Sequence, residues 1–201
     1  MASVNLFRRP QGNTRGLLIA ILFVGMTLAV LVVTHIVPSH WERGCPEHFA
    51  MIVRNAASRH NLDPALIMAV IKKESGFRAN ARGKHGEYGL MQITPGAARD
   101  WERRHKRRIG SHGMLFQPEL NIEIGSWYLA QGMRDWKDHG DTEVLALAQY
   151  NAGPKRAREW ARSGSKKNFL DRIPFPATRS YIRTVLDYRR GFRARDVRSA
   201  Q

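Results

Sequence analysis

A single cysteine, Cys45, stands among the 201 residues, which excludes an intrachain disulfide framework and any cysteine-rich metal site. A free or buried thiol is the simplest reading, with pairing between chains the alternative in an oxidising compartment. The eight histidines never fall at a metal-ligand spacing such as His-Glu-x-x-His, so no metal and no cofactor is expected. Acidic residues are scarce: 17 Asp and Glu against 33 Lys and Arg leave a formal net charge of +16. No alternating strand pattern runs longer than a few residues, and no internal repeat is present. An all-α or nearly all-α domain is the consequence.

The N-terminal stretch 1–16 has no acidic residue and carries Arg8, Arg9 and Arg15. Leu17 to Val33 is uncharged and almost wholly apolar, and extension to Val37 brings the run close to the ~20 residues that cross a bilayer. Arginines ahead of such a run favour a cytoplasmic N-terminus and export of the residues C-terminal to it. The competing reading is a cleaved signal peptide, with Val37-Pro38-Ser39 a poor cleavage site and no Ala-x-Ala in place. The expected order is a cytoplasmic N-terminus at 1–16, a single transmembrane anchor at 17–37, a linker at 38–45, a folded domain at 46–190 and a basic tail at 191–201. Either reading puts residues 40–201 outside the cytoplasm. Removing the three N-terminal arginines leaves +13 on the exported part. Nucleic acid is the default partner of so basic a chain, but export argues against it. Anionic cell-wall polymers and lipid headgroups remain as partners. The densest basic run, Arg103 to Arg108, reads as a solvated helix end and loop.

From Pro46 onward helical spacing dominates. Phe49, Ile52, Val53, Ala56 and Ala57 form one apolar face before His60-Asn61. Asp63 suits an N-cap, Pro64 the first helical position and Gly76 the end of the next helix. On that helix Ile67, Val70, Ile71 and Glu74 share one face by the i, i+3, i+4, i+7 rule, so Glu74 points where a leucine would be expected. It lies in the last turn, where the helix dipole disfavours a carboxylate, and apolar surroundings act in the same direction. A glutamate with a raised pKa is what a general acid needs at neutral pH. The alternative is a surface glutamate beside Lys72 and Lys73. Residues 76–89 read as a loop, Thr94-Pro95 opens a helix, and 109–117 is a second loop. Pro118 to about Trp136 is apolar on most sides, the pattern of a central helix. Asp141 caps a helix from Val144 to about Tyr150, which Gly153-Pro154 ends. A short helix comes next over Lys155–Arg162, then extended segments at Ser163–Lys167 and Pro174–Pro176, then a last helix from Ala177 to about Arg190.

Four segments place polar groups at helix ends or loop edges beside apolar residues, as binding clefts do. They are Glu74-Ser75-Gly76-Phe77, Gly89-Leu90-Met91-Gln92, Gln149 to Pro154 and Thr178-Arg179-Ser180-Tyr181-Ile182. Singly, each also reads as a turn, a helix stop or core filler. In this order and spacing the set resembles the lytic transglycosylases of the soluble type, which share the goose-type lysozyme fold. The resemblance covers about Pro46 to Tyr188, and Asn121 also fits the pattern.

The resemblance implies a mainly helical lysozyme-like domain that cleaves the β-1,4 bond between N-acetylmuramic acid and N-acetylglucosamine in peptidoglycan. Cleavage in that family uses no water and leaves a 1,6-anhydro end. It makes Glu74 the single acid/base, where most glycosidases use two carboxylates. Gln92, Tyr150 and Asn151 fall on substrate-contacting positions, Met91 on a cleft-wall position, and Ser75 on a supporting position grouped with the substrate site. Tyr181 falls where a tyrosine hydroxyl approaches the catalytic glutamate. Two departures stand out. Ala177 replaces a glutamate that many members carry before Thr-Arg-x-Tyr, and Gly83 replaces a serine or threonine nine residues after the catalytic glutamate.

The expected protein is thus an inner-membrane, single-pass lytic transglycosylase with its catalytic domain in the periplasm, acting on peptidoglycan glycan strands. Glu87 offers the other enzymatic reading, a lysozyme-like hydrolase in which it holds a water opposite Glu74. A third reading is a wall-binding module of weak activity within an envelope machine. The biological setting, general turnover or a gap opened for envelope secretion or assembly machinery, stays open at this level.

Overall fold

The computed structural model describes residues 47–162 and 169–199. The stretch 1–16, the anchor expected at 17–37, the linker at 38–45 and the segment Ser163–Lys167 lie outside the described residues. Among the described residues no helix is long and apolar enough to cross a membrane.

Eight α-helices and one short 3₁₀ turn make up the described chain. The helices are α1 Glu47–His60, α2 Pro64–Ser75, α3 Pro95–His105, α4 Pro118–Asp135, α5 Thr142–Ala152, α6 Pro154–Arg162, α7 Phe169–Arg172 and α8 Pro176–Ser199, with the turn at His112–Phe116 before α4. Extended pairing among the described residues amounts to isolated bridges, Arg82 with Tyr88 and Tyr88 with Ile93. The mainly helical expectation holds.

Local chemistry sets the ends of α2. The Asp63 side chain accepts a hydrogen bond from the Ala65 N–H at 3.0 Å, and Pro64 fills the first position, where its missing N–H costs nothing. Gly76 takes a left-handed conformation at φ +59° and its N–H returns to the Lys72 carbonyl, so the helix stops one residue after the acid. Ile67, Val70 and Ile71 are fully buried. They face a core shared with α8, the main packing partner of α2, while α4 packs against α1 and α5.

The α8 contact is fastened at its far end. Asp63 accepts from Arg189 Nε at 2.7 Å and from Arg193 Nε at 2.8 Å, and Arg189 also pairs with Glu143 on α5. Burial alone would raise the Asp63 pKa, but the bonds from Arg189, Ala65 N–H and Arg193 outweigh it and hold the carboxyl below its usual range. The N-cap of α2 is therefore also the anchor of α8, which fixes the register that brings Tyr181 opposite Glu74.

Two expectations need correction here. The last helix, expected to stop near Arg190 with a basic tail beyond, runs on to Ser199. Tyr181, Val185 and Tyr188 share one stripe of this helix, and it continues to Phe192, which is buried and packs edge-on against Phe77. The short helix α7 was not anticipated. Asp141 precedes α5 but makes no capping bond, since its carboxylate accepts from the Phe169 N–H at the start of α7 at 2.9 Å.

Candidate active site

Glu74 sits in the last turn of α2 and faces a cleft of about 310 Å³. Tyr181, reaching across from α8, donates its hydroxyl to Glu74 Oε1 at 2.6 Å. The Glu74 pKa rises from an ordinary 4.5 to about 7. Burial is the main cause; the Tyr181 hydrogen bond and the Lys73 charge pull it down, and the Glu87 charge adds to the rise. The group is therefore poised to give and take a proton near neutrality. Burial, then the Glu74 charge, push the Tyr181 phenol well above its ordinary pKa, so it remains a hydrogen-bond donor.

The loop from Gly76 to Thr94 forms the facing wall. Its turn is built from Gly89 at φ +76° and Gln92 at φ +48°, both left-handed, the second unusual for a residue with a side chain. Two bonds hold Gln92 there, from its Nε2 to the carbonyls of Gly89 at 2.8 Å and Ala81 at 3.3 Å. Asn121, fully buried on α4, clamps the same turn. Its Oδ1 accepts from Met91 N at 2.7 Å, and its Nδ2 donates to the carbonyls of Tyr88 at 2.8 Å and Leu115 at 2.6 Å. Tyr150 on α5 donates its hydroxyl to the Met91 carbonyl at 2.8 Å. Asn151 beside it accepts from Thr178 Oγ1 at 2.9 Å, which ties the cleft floor to the start of α8.

Of the residues singled out in the sequence, Glu74, Gln92, Tyr150 and Asn151 line one cleft, and Tyr181 backs the acid from behind. Ser75 and Met91 are placed differently. Ser75 is buried, and its hydroxyl donates to the Ile71 carbonyl one turn back at 3.1 Å, so it supports the helix and does not reach the cleft. The Met91 side chain is fully buried and turns inward onto Gly125 of α4, where any Cβ would collide with it. Its backbone carbonyl, not its sulfur, serves the site. Thr94 also lines the cleft; the sequence marked it only as the opening of α3, where its hydroxyl accepts from Ala97 N at 3.1 Å.

The two departures acquire a geometry. A Cβ at position 83 would collide with the Glu87 carboxylate and approach Gln92 Oε1. Glu87 thus fills the space a side chain at 83 would need, and it lines the cleft with Glu74. It accepts from the His85 N–H at 2.9 Å and lies 3.5 Å from His85 Nδ1. Ala177 is exposed in the first turn of α8 and supplies no carboxylate.

A carboxyl group with a near-neutral pKa at a helix end, backed by a tyrosine and facing a polar cleft in a mainly helical frame, is the arrangement of a lysozyme-like domain. Residues 51–173 match the family model of the transglycosylase SLT domain, and the chain belongs to that family. It is 31% identical over 154 residues to the soluble lytic murein transglycosylase of Escherichia coli (strain K12), across 74% of this chain and 23% of that protein. It is 32% identical over 135 residues to the membrane-bound lytic murein transglycosylase C of Shigella sonnei (strain Ss046), across 64% of this chain and 37% of that one. Among solved structures, an inactive mutant of the lytic transglycosylase Slt from Pseudomonas aeruginosa superposes with a TM-score of 0.66 at 34% identity, covering 74% of this chain and 24% of that one. The 70 kDa soluble lytic transglycosylase of Escherichia coli gives 0.64 at 31% identity, over 69% of this chain and 23% of that one. The chain therefore spans about a quarter of the length of the soluble relatives it matches.

Proposed function

We propose that this chain cleaves the β-1,4 bond between N-acetylmuramic acid and N-acetylglucosamine in peptidoglycan without water. The observation that carries the reading is Glu74, with a pKa raised to about 7 and Tyr181 on Oε1. Oε2 has no hydrogen-bond partner among the described residues and is left for substrate. In the first step the protonated Glu74 gives its proton to the bridging oxygen as the C1–O bond breaks, and the substrate's N-acetyl group stabilises the cation. In the second step the Glu74 carboxylate takes the proton of the C6 hydroxyl, whose oxygen closes on C1. Glu74 ends protonated, as it began, and no water enters. Tyr181 favours the carboxylate between the steps, because donation to a charged acceptor is the stronger hydrogen bond. Gln92, Tyr150 and Asn151 contact the saccharides.

One observation favours a second reading. Glu87 places another carboxylate in the same cleft, in the space beside Gly83, where it could hold a water for hydrolysis. Product mass separates the two, because an anhydro end is lighter by one water than a reducing end. The expected result is anhydro products from wild type, with Glu87→Gln retaining most of the rate. Reducing ends, together with an inactive Glu87→Gln, would establish the hydrolase.

The apolar run at 17–37 behind Arg8, Arg9 and Arg15 supports a single-span inner-membrane anchor with the catalytic domain in the periplasm. The protein is expected to stay with membranes at high salt and to leave only in detergent. A shorter soluble form would mean a cleaved signal peptide. A role in opening the wall for envelope secretion or assembly machinery accords with such an anchor.

A further inference from the structure

Two acceptor oxygens converge in the Glu74 cleft, and neither proton-transfer step uses them. Glu87 and Gln92 line the cleft together with Glu74 and Gly83. A Cβ built on Gly83 would strike Glu87 Oε2 and stand 2.8 Å from Gln92 Oε1. The bare glycine therefore leaves both oxygens beside one gap, and any side chain at 83 would push the carboxylate out of it.

Both oxygens are held. Gln92 Nε2 donates to the carbonyls of Gly89 and Ala81, so Oε1 is the end turned toward the gap. Among the described residues Gln92 Oε1 accepts no hydrogen bond. Glu87 Oε2 accepts from the His85 N–H at 2.9 Å. The Gly83 N–H donates to the Glu87 carbonyl at 2.9 Å, which closes the short loop between them. A carboxylate and an amide oxygen can only accept, so the group this pair calls for is an N–H or O–H donor.

We propose that Glu87 and Gln92 take the amide N–H of the substrate's 2-acetamido group and so turn its carbonyl oxygen toward C1. The proposal rests on the peptidoglycan reading of the Glu74 cleft. On a muramic acid ring within a strand, O3 and O4 are ethers. Its own donors are the amide N–H and the C6 hydroxyl, and the second goes to Glu74. C2 is bonded to C1, so a sugar that brings its bridging oxygen to Glu74 brings its acetamido group into the same cleft. The carbonyl oxygen bonds to C1 as the C1–O bond breaks and Glu74 protonates the leaving oxygen. The nitrogen keeps its proton throughout. Positive charge that spreads onto the nitrogen makes the N–H a stronger donor, so its bond to Glu87 tightens as the transition state forms. When the C6 oxygen closes on C1, the carbonyl oxygen departs with its electron pair and Glu74 takes the C6 proton.

The test compares wild type, Glu87→Leu and Glu87→Gln as full chains in detergent on purified glycan strands. Leucine keeps bulk but accepts nothing, and the His85 N–H it leaves is exposed to water. It should lower kcat about tenfold or more, as misplaced reacting groups do, with KM little changed. Glu87→Gln keeps an acceptor oxygen and should retain most of the rate. Gly83→Ala keeps Glu87 but displaces its carboxylate, and should lower kcat in the same direction. On strands de-N-acetylated beforehand, wild type and Glu87→Leu should be equally slow. An unchanged kcat in Glu87→Leu or in Gly83→Ala overturns the proposal, as does a tenfold penalty of Glu87→Leu that persists on de-N-acetylated strands. Reducing-end products that Glu87→Gln abolishes overturn it too, in favour of a held water. If wild type releases nothing, the catalytic reading fails by itself and calorimetry with tetra-N-acetylchitotetraose decides the binding claim. Binding that Glu87→Leu weakens and Glu87→Gln keeps supports it; no binding, or equal binding by all three, overturns it.

Discussion

Glu74→Gln is expected to lose cleavage by at least ~10²–10⁴-fold, the usual worth of a general acid–base group, while the domain stays folded. The amide keeps the size of the side chain, and its oxygen still accepts from Tyr181, but it has no proton to exchange. Glu74→Asp should fail by roughly 10²-fold or more, because it draws the carboxyl back by a methylene and misplacements of that order are costly. The measurement is release of soluble fragments from purified wall sacculi. Near wild-type release by Glu74→Gln would remove the mechanism proposed for this site.

The same variant has a second signature in stability. Glu74 ordinarily titrates at 4.5 and in the fold at about 7. Between these values the folded state holds a proton that the unfolded chain has lost, so stability falls as pH rises through that window. Below pH 4.5 both states are protonated and the penalty is absent. Above about 7 it is complete, at most about 3 kcal/mol at 1.36 kcal/mol per unit. Glu74→Gln has nothing to ionise and should be the more stable protein at pH 8, with no such advantage at pH 4. In the active enzyme the same group should appear as a titration near 7 in the pH dependence of kcat/KM. A limb at 4.5 would mean that burial does not govern the acid.

Much of this site could be read from the chain because its pieces are local. Asp63, Pro64 and Gly76 declare both ends of α2 by chemistry within a turn of each end, and the spacing of Ile67, Val70 and Ile71 then orients Glu74. Where the sequence misleads, the deciding contact comes from far along the chain. Met91 turns inward because Gly125, 34 residues away, leaves room for its sulfur. The same contact leaves only its carbonyl for Tyr150. Ser75 looks like a site residue by adjacency, yet a helix places neighbouring side chains about 100° apart, so a serine next to a cleft-facing glutamate turns elsewhere. Gly83 and Glu87 could not be paired by reading, since a loop has no period to show which side chain fills a gap. Asp141 has the composition of a cap and is claimed instead by a helix too short for periodicity to reveal.

Asn121 holds the cleft turn from outside the cleft, and its loss should be costly. It is fully buried, and its one amide satisfies Met91 N, Tyr88 O and Leu115 O. The Tyr88 carbonyl keeps a second bond from Ile93 N at 2.9 Å. In Asn121→Ala the Met91 N–H and the Leu115 carbonyl are left bare. Each buried unsatisfied group costs about 1–3 kcal/mol, so the loss should be about 2–6 kcal/mol, a large part of the ~5–15 kcal/mol that holds a domain folded. Asn121→Asp should be no better. It keeps the acceptor for Met91 but turns a carboxylate toward two carbonyl oxygens. Position 89 offers no relief, since a Cβ there would strike the Asn121 amide and the Leu115 carbonyl, and its φ of +76° suits glycine. Denaturant unfolding measures the cost, and a loss below about 1 kcal/mol would mean that water takes over the amide's bonds. What remains folded should still lose activity. Met91 and Gln92 are consecutive, so a turn released at Met91 N loosens both the carbonyl that seats Tyr150 and a side chain that lines the cleft.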